Sequence, residues 1–276
     1  MGAVIVEAIV NGIKIADTTD KDGKFALEIP AGEHLVKMYT GAGDRFITRK
    51  IFTIQAGKTT EVSAAQSRLG FTGKIAYLAG DFDAIQEIVT ELGIPVTSLT
   101  LDDMQNYHIL NQYDVLLLNC NSGYDEFEEI KPLERFLKDG KSIYASDFEM
   151  RALSKQEWGF IPENLISYER DGIAGTIQGQ ILFEPFKKAL GSNTMTIAFD
   201  LPGFVRITSL NTTDPSVKVL VDHPQKGPLA LNIQWAPGRV SSQGIAYGGN
   251  IIYTTFHDAS LSNDVKTVLR QMIMQL

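Results

Sequence analysis

The sequence predicts two domains: a small all-β antiparallel sandwich, followed by an α/β domain with a parallel sheet and a β-rich insertion. Three observations predict it. Residues 3 to 66 run in short stretches of alternating apolar and polar residues broken by NG, DG, AG and GAG, the period of half-buried strands joined by tight turns. From Lys74 onward, continuous apolar runs (KIAYL, VLLLN, SIYAS) alternate with helical stripes, as in a parallel sheet covered on both faces. Between 154 and 248 that alternation gives way to short β-like runs separated by Pro and Gly.

Taken in order, VIVEAIV, GIKIADT, KFALEIP, EHLVKMYT, FITRKIFTI and TTEVSAA are the predicted strands of the first domain. Asp20-Lys21-Asp22-Gly23 opens like a calcium loop, but no glutamate stands at the twelfth position, and Asp-Gly between strands is accounted for by a turn needing positive φ. The short polar AAQSRLGFTG reads as the linker, so the expected units are residues 1–66 and 73–276.

In the second unit KIAYL is a strand ending in a Gly-Asp turn. Asp83 with Gln86 has the spacing of a capping box, and Ile85, Ile88, Val89 and Leu92 form a helical stripe closed by Gly93. A strand at 96–100, a short polar helix or turn, and VLLLN at 115–119 follow. A helix over 125–138 presents Phe127, Ile130, Leu133 and Leu137 and stops at Gly140, before SIYAS. The segment 154–248 reads as a β-rich layer near the strand ends. NIIYTTF returns to the main sheet, and a last helix buries Val265, Val268, Leu269, Met272, Ile273 and Leu276, capped by Ser262 or Asn263. The order is that of a doubly wound, flavodoxin-like half.

A net charge of −8 and a pI near 5.1 argue against nucleic acid and against an anionic membrane surface as partners. The absence of an apolar run of about 18 residues argues against membrane insertion. One cysteine excludes an internal disulfide and a cysteine-rich zinc site. MGAVIVEAIV lacks a basic n-region and carries Glu7 in its apolar stretch, so it reads as a strand. The chain as given is expected to be cytoplasmic, the alternative being a fragment of a secreted or cell-surface protein. The partners left open are a small molecule, a carbohydrate or a protein.

Ligands of parallel α/β sheets bind outside the carboxyl ends of the strands. That rule selects Gly80-Asp81, Asn121-Ser122-Gly123, Ser146 to Glu149, and His257-Asp258 as turns facing one crevice. Asp81, Asp147, His257 and Asp258 include donor types that suit a hard divalent ion, but none stand at the helical i, i+4 spacing of a metal motif. The expectation is neither metal nor cofactor. Cys120, after the leucine run, reads as a small buried hydrophobe, and Trp158 and Trp235 as core residues of the insertion or a sugar-stacking surface.

Two resemblances add to this. "TTDKDGKFALEIPAGEHLVKM" resembles the carboxypeptidase regulatory-like, prealbumin-type β-sandwich, which implies a structural or adhesive module without an active site. "YDVLLLNCNSG", "GKSIYASDFEMRAL" and "NIIYTTFHD" resemble the class I glutamine amidotransferase-like superfamily, nearest its trehalose-utilisation-like branch. That second resemblance implies an oxyanion loop at Asn121, Ser122 and Gly123, a nucleophile elbow at Asp147 or Ser146, and a catalytic-type histidine at His257. The chain departs from the pattern in having no cysteine at the elbow, Phe148-Glu149 in place of small residues, and Asp258 where Pro-Glu would begin.

An aspartate is a poor acyl-transfer nucleophile, and a serine there needs a base within about 3 Å and an oxyanion hole. The reading of the whole is a non-catalytic binding or scaffold protein, a pseudoenzyme with Asp81, Asn121, Ser122, Gly123, Glu149 and Asp258 lining its ligand crevice. The alternative is a hydrolase using Ser146 or Asp147 with His257, acting on a carbohydrate-related substrate. A third reading gives the sandwich's edge strands an assembly role by pairing with another chain.

Overall fold

The computed structural model describes residues 2–40, 45–123, 131–157, 159–236, 239–240, 246–257 and 262–276. Phe127, Ile130, Trp158 and Asp258 lie outside the described residues.

The first unit is an antiparallel sheet of β1 (Ile5–Val10), β2 (Ile13–Thr18), β3 (Gly32–Thr40), β4 (Phe46–Ile54) and β5 (Gly70–Phe71), in the order β2-β1-β3-β4-β5. Alternate residues point to one face, where Val4, Val6, Ala8, Val36, Met38 and Phe52 form a core. Phe25, Leu27, Ile29 and Val62 pack against it from outside the sheet. KFALEIP and TTEVSAA therefore alternate as predicted, yet neither carries a strand ladder. The expected sandwich is one hydrogen-bonded sheet with a looser second layer. Apolar side chains can dock on a sheet face without a partner in register, whereas a ladder needs one. A cleft of about 1170 Å³ is lined by both of these stretches. The Asp20–Gly23 stretch is a turn, with Gly23 at φ 79° and Asp20 Oδ1 accepting from the amides of Asp22 and Lys24. The stretch that reads as linker contributes β5, which pairs Phe71 with Phe46.

The second unit continues with β6 (Ile75–Leu78), α1 (Ile85–Glu91), β7 (Val96–Leu99), α2 (Leu101–Met104), α3 (Tyr107–Leu110), β8 (Val115–Leu118), α4 (Lys131–Lys138), β9 (Ser142–Ser146) and α5 (Met150–Leu153). Then come β10 (Ile166–Glu169), β11 (Gly175–Ile181), α6 (Glu184–Leu190), β12 (Thr194–Phe199), β13 (Arg206–Leu210), β14 (Val217–His223) and β15 (Gly227–Gln234). The chain closes with β16 (Arg239–Val240), β17 (Ala246–Tyr247), β18 (Asn250–Thr254) and α7 (Asn263–Met274). The nine-stranded sheet runs β12-β11-β14-β15-β18-β9-β8-β6-β7. Its parallel part, β7-β6-β8-β9-β18, has the flavodoxin-like 2-1-3-4-5 order when its strands are counted along the chain.

The inner parallel strands β6, β8, β9 and β18 are mostly apolar because both their faces are covered, whereas the edge strand β7 exposes Thr97 and Ser98. Ile75, Leu117, Tyr144 and Ile252 meet α1 and α7 on one side, while Leu116, Leu118, Ile143 and Tyr253 meet α4 and α5 on the other. The terminal helix buries the predicted stripe, and Ser262 is its cap, accepting from the Val265 amide at 3.2 Å.

Two expectations are corrected. The 154–248 segment is not a layer near the strand ends: β15, β14, β11 and β12 extend the main sheet itself, each pairing antiparallel, while β10 with β13 and β16 with β17 form separate two-stranded ladders. An antiparallel strand can join an edge directly, which a short insertion without crossover helices can only do this way. The segment also contains α6, with Pro185 in its first turn and Gly191 at φ 71° ending it. The second correction concerns Asp83, which does not cap α1. Ala84 is the N-cap residue and makes no side-chain bond, while the Asp83 carboxylate turns toward the strand ends.

Candidate functional site

The order of the parallel strands reverses between β6 and β8, which is where a crevice opens in such sheets. At the end of β6 the chain passes so close to β8 that a Cβ on Gly80 would overlap the Cys120 carbonyl oxygen. Glycine allows that approach, and the Asp81 amide donates to the same carbonyl at 3.0 Å. Two residues on, buried Asp83 clamps two strand ends at once. One carboxylate oxygen accepts from the Cys120 amide at 2.7 Å, and the other accepts from the Ser146 hydroxyl at 2.5 Å.

Strand β9 ends at Ser146 and breaks into a 3-10 turn over Asp147–Glu149. Asp147 has φ 45°, a left-handed conformation unfavourable for any residue with a Cβ and characteristic of the sharp strand-to-helix turn of nucleophile elbows. The residue is 3% exposed. Oδ1 accepts from the Val205 amide at 2.6 Å, and Oδ2 faces the Cys120 thiol, which donates at 3.6 Å. Its carbonyl accepts from the buried Tyr253 hydroxyl at 2.8 Å. Burial pushes the Asp147 carboxyl up to about 7, against the opposing pull of the Val205 and Cys120 hydrogen bonds. Burial, and then the neighbouring Asp147 charge, push the Cys120 thiol far above its ordinary range.

Beyond β18, His257 enters the same crevice. Ligand atoms of Cys120, Asp147 and His257 all lie within 4.8 Å of one another. The His257 Nε2 is 3.8 Å from Asp200 Oδ1, on the segment after β12, and its ring lies 6.4 Å from that of Phe82. Phe82, Phe148 and Phe204 wall a cavity of about 160 Å³ whose polar points are Asp147, Asp200 and His257. Phe148 is held on its other side by the Arg170 guanidinium, 4.5 Å from the ring centre.

Four of the remaining candidates pair with one another. Asn121, at φ 61°, donates from Nδ2 to Asp81 at 2.6 Å. The Ser122 amide donates to the Glu149 carboxylate at 2.8 Å, and Glu149 is 1% exposed. Gly123 has φ 77° and sits beside Leu101. Ser146 is fully buried and bonded to Asp83. Trp235 is half-buried and packs against the core, its ring tilted against that of Phe160 at 4.9 Å between ring centres.

Sequence reasoning missed Asp83, because an acid before a helical stripe satisfies the capping pattern equally well. It placed Cys120 as a buried hydrophobe without its contact to Asp147. Asp200 lies in the insertion and carried no motif.

No family model matches the chain, and no curated protein does. Among solved structures it is similar to a protein described as ThuA-like from Bacteroides uniformis, at 13% identity and TM-score 0.49, over 72% of this chain and 88% of that one. It is similar to a protein described as a GMP synthase subunit from Thermoplasma acidophilum, at 10% identity and TM-score 0.48, over 74% and 94% of the two chains. A glutamine amidotransferase from Thermotoga maritima shares 13% identity and TM-score 0.44, over 71% and 80%.

Proposed function

We propose that this chain is a non-catalytic binding or scaffold protein: an amidotransferase-like α/β domain over residues 73–276 that keeps the elbow and lacks its nucleophile, behind a carboxypeptidase regulatory-like module over 1–66. The observation that carries this is the Glu149 carboxylate on the Ser122 amide. A tetrahedral intermediate needs that amide aimed at a developing oxyanion, and an anion supplied by the protein already takes it. Three further features support the reading. The Asp147 carboxylate accepts from the Val205 amide and the Cys120 thiol, Ser146 donates to Asp83, and the cavity of about 160 Å³ is smaller than the ~300–1,000 Å³ usual for small-molecule sites. The test is turnover against panels of amides, esters and glycosides. The proposal expects none. Turnover that disappears in Asp147→Ala overturns it.

The hydrolase reading retains one supporting observation, the proximity of Asp147 and His257 across a shared cavity. It requires the same panel to yield turnover that is lost in His257→Gln as well as in Asp147→Ala.

A further inference from the structure

We propose that Cys120, Asp147 and His257 form a mononuclear site for a divalent transition-metal ion of the zinc class. The three side chains come from three strand ends, β8, β9 and β18, and their ligand atoms fall within 4.8 Å of one another. A tetrahedral zinc ion with bonds of about 2.3 Å to sulfur and 2.0 Å to oxygen holds those two atoms about 3.5 Å apart. Cys120 Sγ and Asp147 Oδ2 are 3.6 Å apart, so that edge of the tetrahedron is already in place.

The donor set selects the ion. Imidazole, carboxylate and a single thiolate suit zinc, cobalt(II) and related ions, whereas calcium and magnesium take oxygen ligands. A thiolate and a carboxylate together cancel the charge of a dication, so the buried site holds no net charge. Binding releases the thiol proton to solvent, since only the thiolate coordinates.

Neighbouring groups orient the Asp147 ligand as metal sites require. The Val205 amide holds Asp147 Oδ1 and leaves Oδ2 to coordinate, and the Tyr253 hydroxyl pins the Asp147 carbonyl. Asp200 stands 3.8 Å from the imidazole of His257. Asp147 and His257 also line the cavity of about 160 Å³, which has room for a few waters at about 30 Å³ each to complete the coordination. The site does not depend on whether the crevice turns anything over, and its test reads binding alone.

The experiment uses the full chain, stripped with a chelator and titrated with cobalt(II). The chain has one cysteine, so a thiolate-to-cobalt charge-transfer band reports Cys120 and no surface histidine. The expected result is a band that saturates at one equivalent and is displaced by zinc, with zinc also raising the thermal midpoint. Cys120→Ser, nearly isosteric, should abolish the band while keeping the native circular dichroism. Asp147→Asn and His257→Gln should each weaken binding more than Asp200→Asn, which should cost about ten-fold. If a variant does not fold, the wild-type titration still decides. No charge-transfer band in excess cobalt, or no midpoint shift with zinc, overturns the proposal. So does unchanged affinity in both Asp147→Asn and His257→Gln.

Discussion

Asp147→Asn should stabilise the metal-free protein at alkaline pH and leave it nearly unchanged in acid. The folded carboxyl is pushed from 3.8 up to about 7 by burial. At about 1.4 kcal/mol for each tenfold change in acidity, that rise amounts to about 4 kcal/mol. Below pH 4 the group is protonated in both states, so the full relative stability is present. Between about pH 4 and 7 the unfolded chain ionises while the folded one stays protonated, so stability falls as pH rises. Above about pH 7 both are ionised and the whole penalty stands. Asparagine mimics the protonated acid, keeps an oxygen for the Val205 amide, and tolerates the left-handed backbone of this position. Urea unfolding of wild type and variant, with chelator present at pH 4 through 8, reads the difference directly. Other titrating groups cancel between the two proteins. The variant's advantage should grow by up to about 4 kcal/mol across that range. A difference that is flat with pH, or that favours wild type as pH rises, would show that burial does not penalise this carboxylate.

Gly80→Ala drives a methyl carbon into the backbone of Asn119 and Cys120, which cannot rotate away. A loss of about 3 kcal/mol or more is expected in the same unfolding assay. Tyr39→Phe removes the hydroxyl that donates to buried Glu7 at 2.8 Å, while Lys14 remains on that carboxylate at 2.6 Å. It should cost about 1–2 kcal/mol, and a cost near zero would mean that the hydroxyl contributes nothing there. In Glu7, burial raises the carboxyl but is outweighed by the Lys14 and Tyr39 hydrogen bonds, which hold it below the ordinary range. Glu7→Gln should therefore lose stability near neutral pH and approach wild type as pH falls through the carboxylate range.

The parallel half was the most legible part of the sequence. Runs such as VLLL at β8 and SIYAS at β9 have no reading but a strand buried on both faces, and the stripes of α1 and α7 matched their helices. The first unit was half legible. Alternation specifies which side chains point inward, and Phe25, Leu27 and Ile29 do so, but it does not specify which backbone groups pair. In the insertion, the runs of β11, β12, β14 and β15 were visible as strands, while their destination at the edge of the main sheet depended on pairings distant in sequence. At the site, the strand-end rule named turns that meet through Asp81 with Asn121, Ser122 with Glu149, and Asp147 near His257. What it did not name is which carboxylate each amide would choose. Asp83 has an ordinary sequence explanation as a helix cap, and only the fold turns its carboxylate toward the strand ends.

A crevice without an available nucleophile should leave its single thiol inert. Alkylation of Cys120 by iodoacetamide, followed by intact mass with chelator present, tests this without needing a substrate. The thiol is fully buried, with its proton held far above the usual range, so labelling should wait for unfolding and reach completion only in urea. Rapid labelling of the native protein near neutral pH would mean an exposed, reactive thiolate in the crevice, and the non-catalytic reading would fall with it.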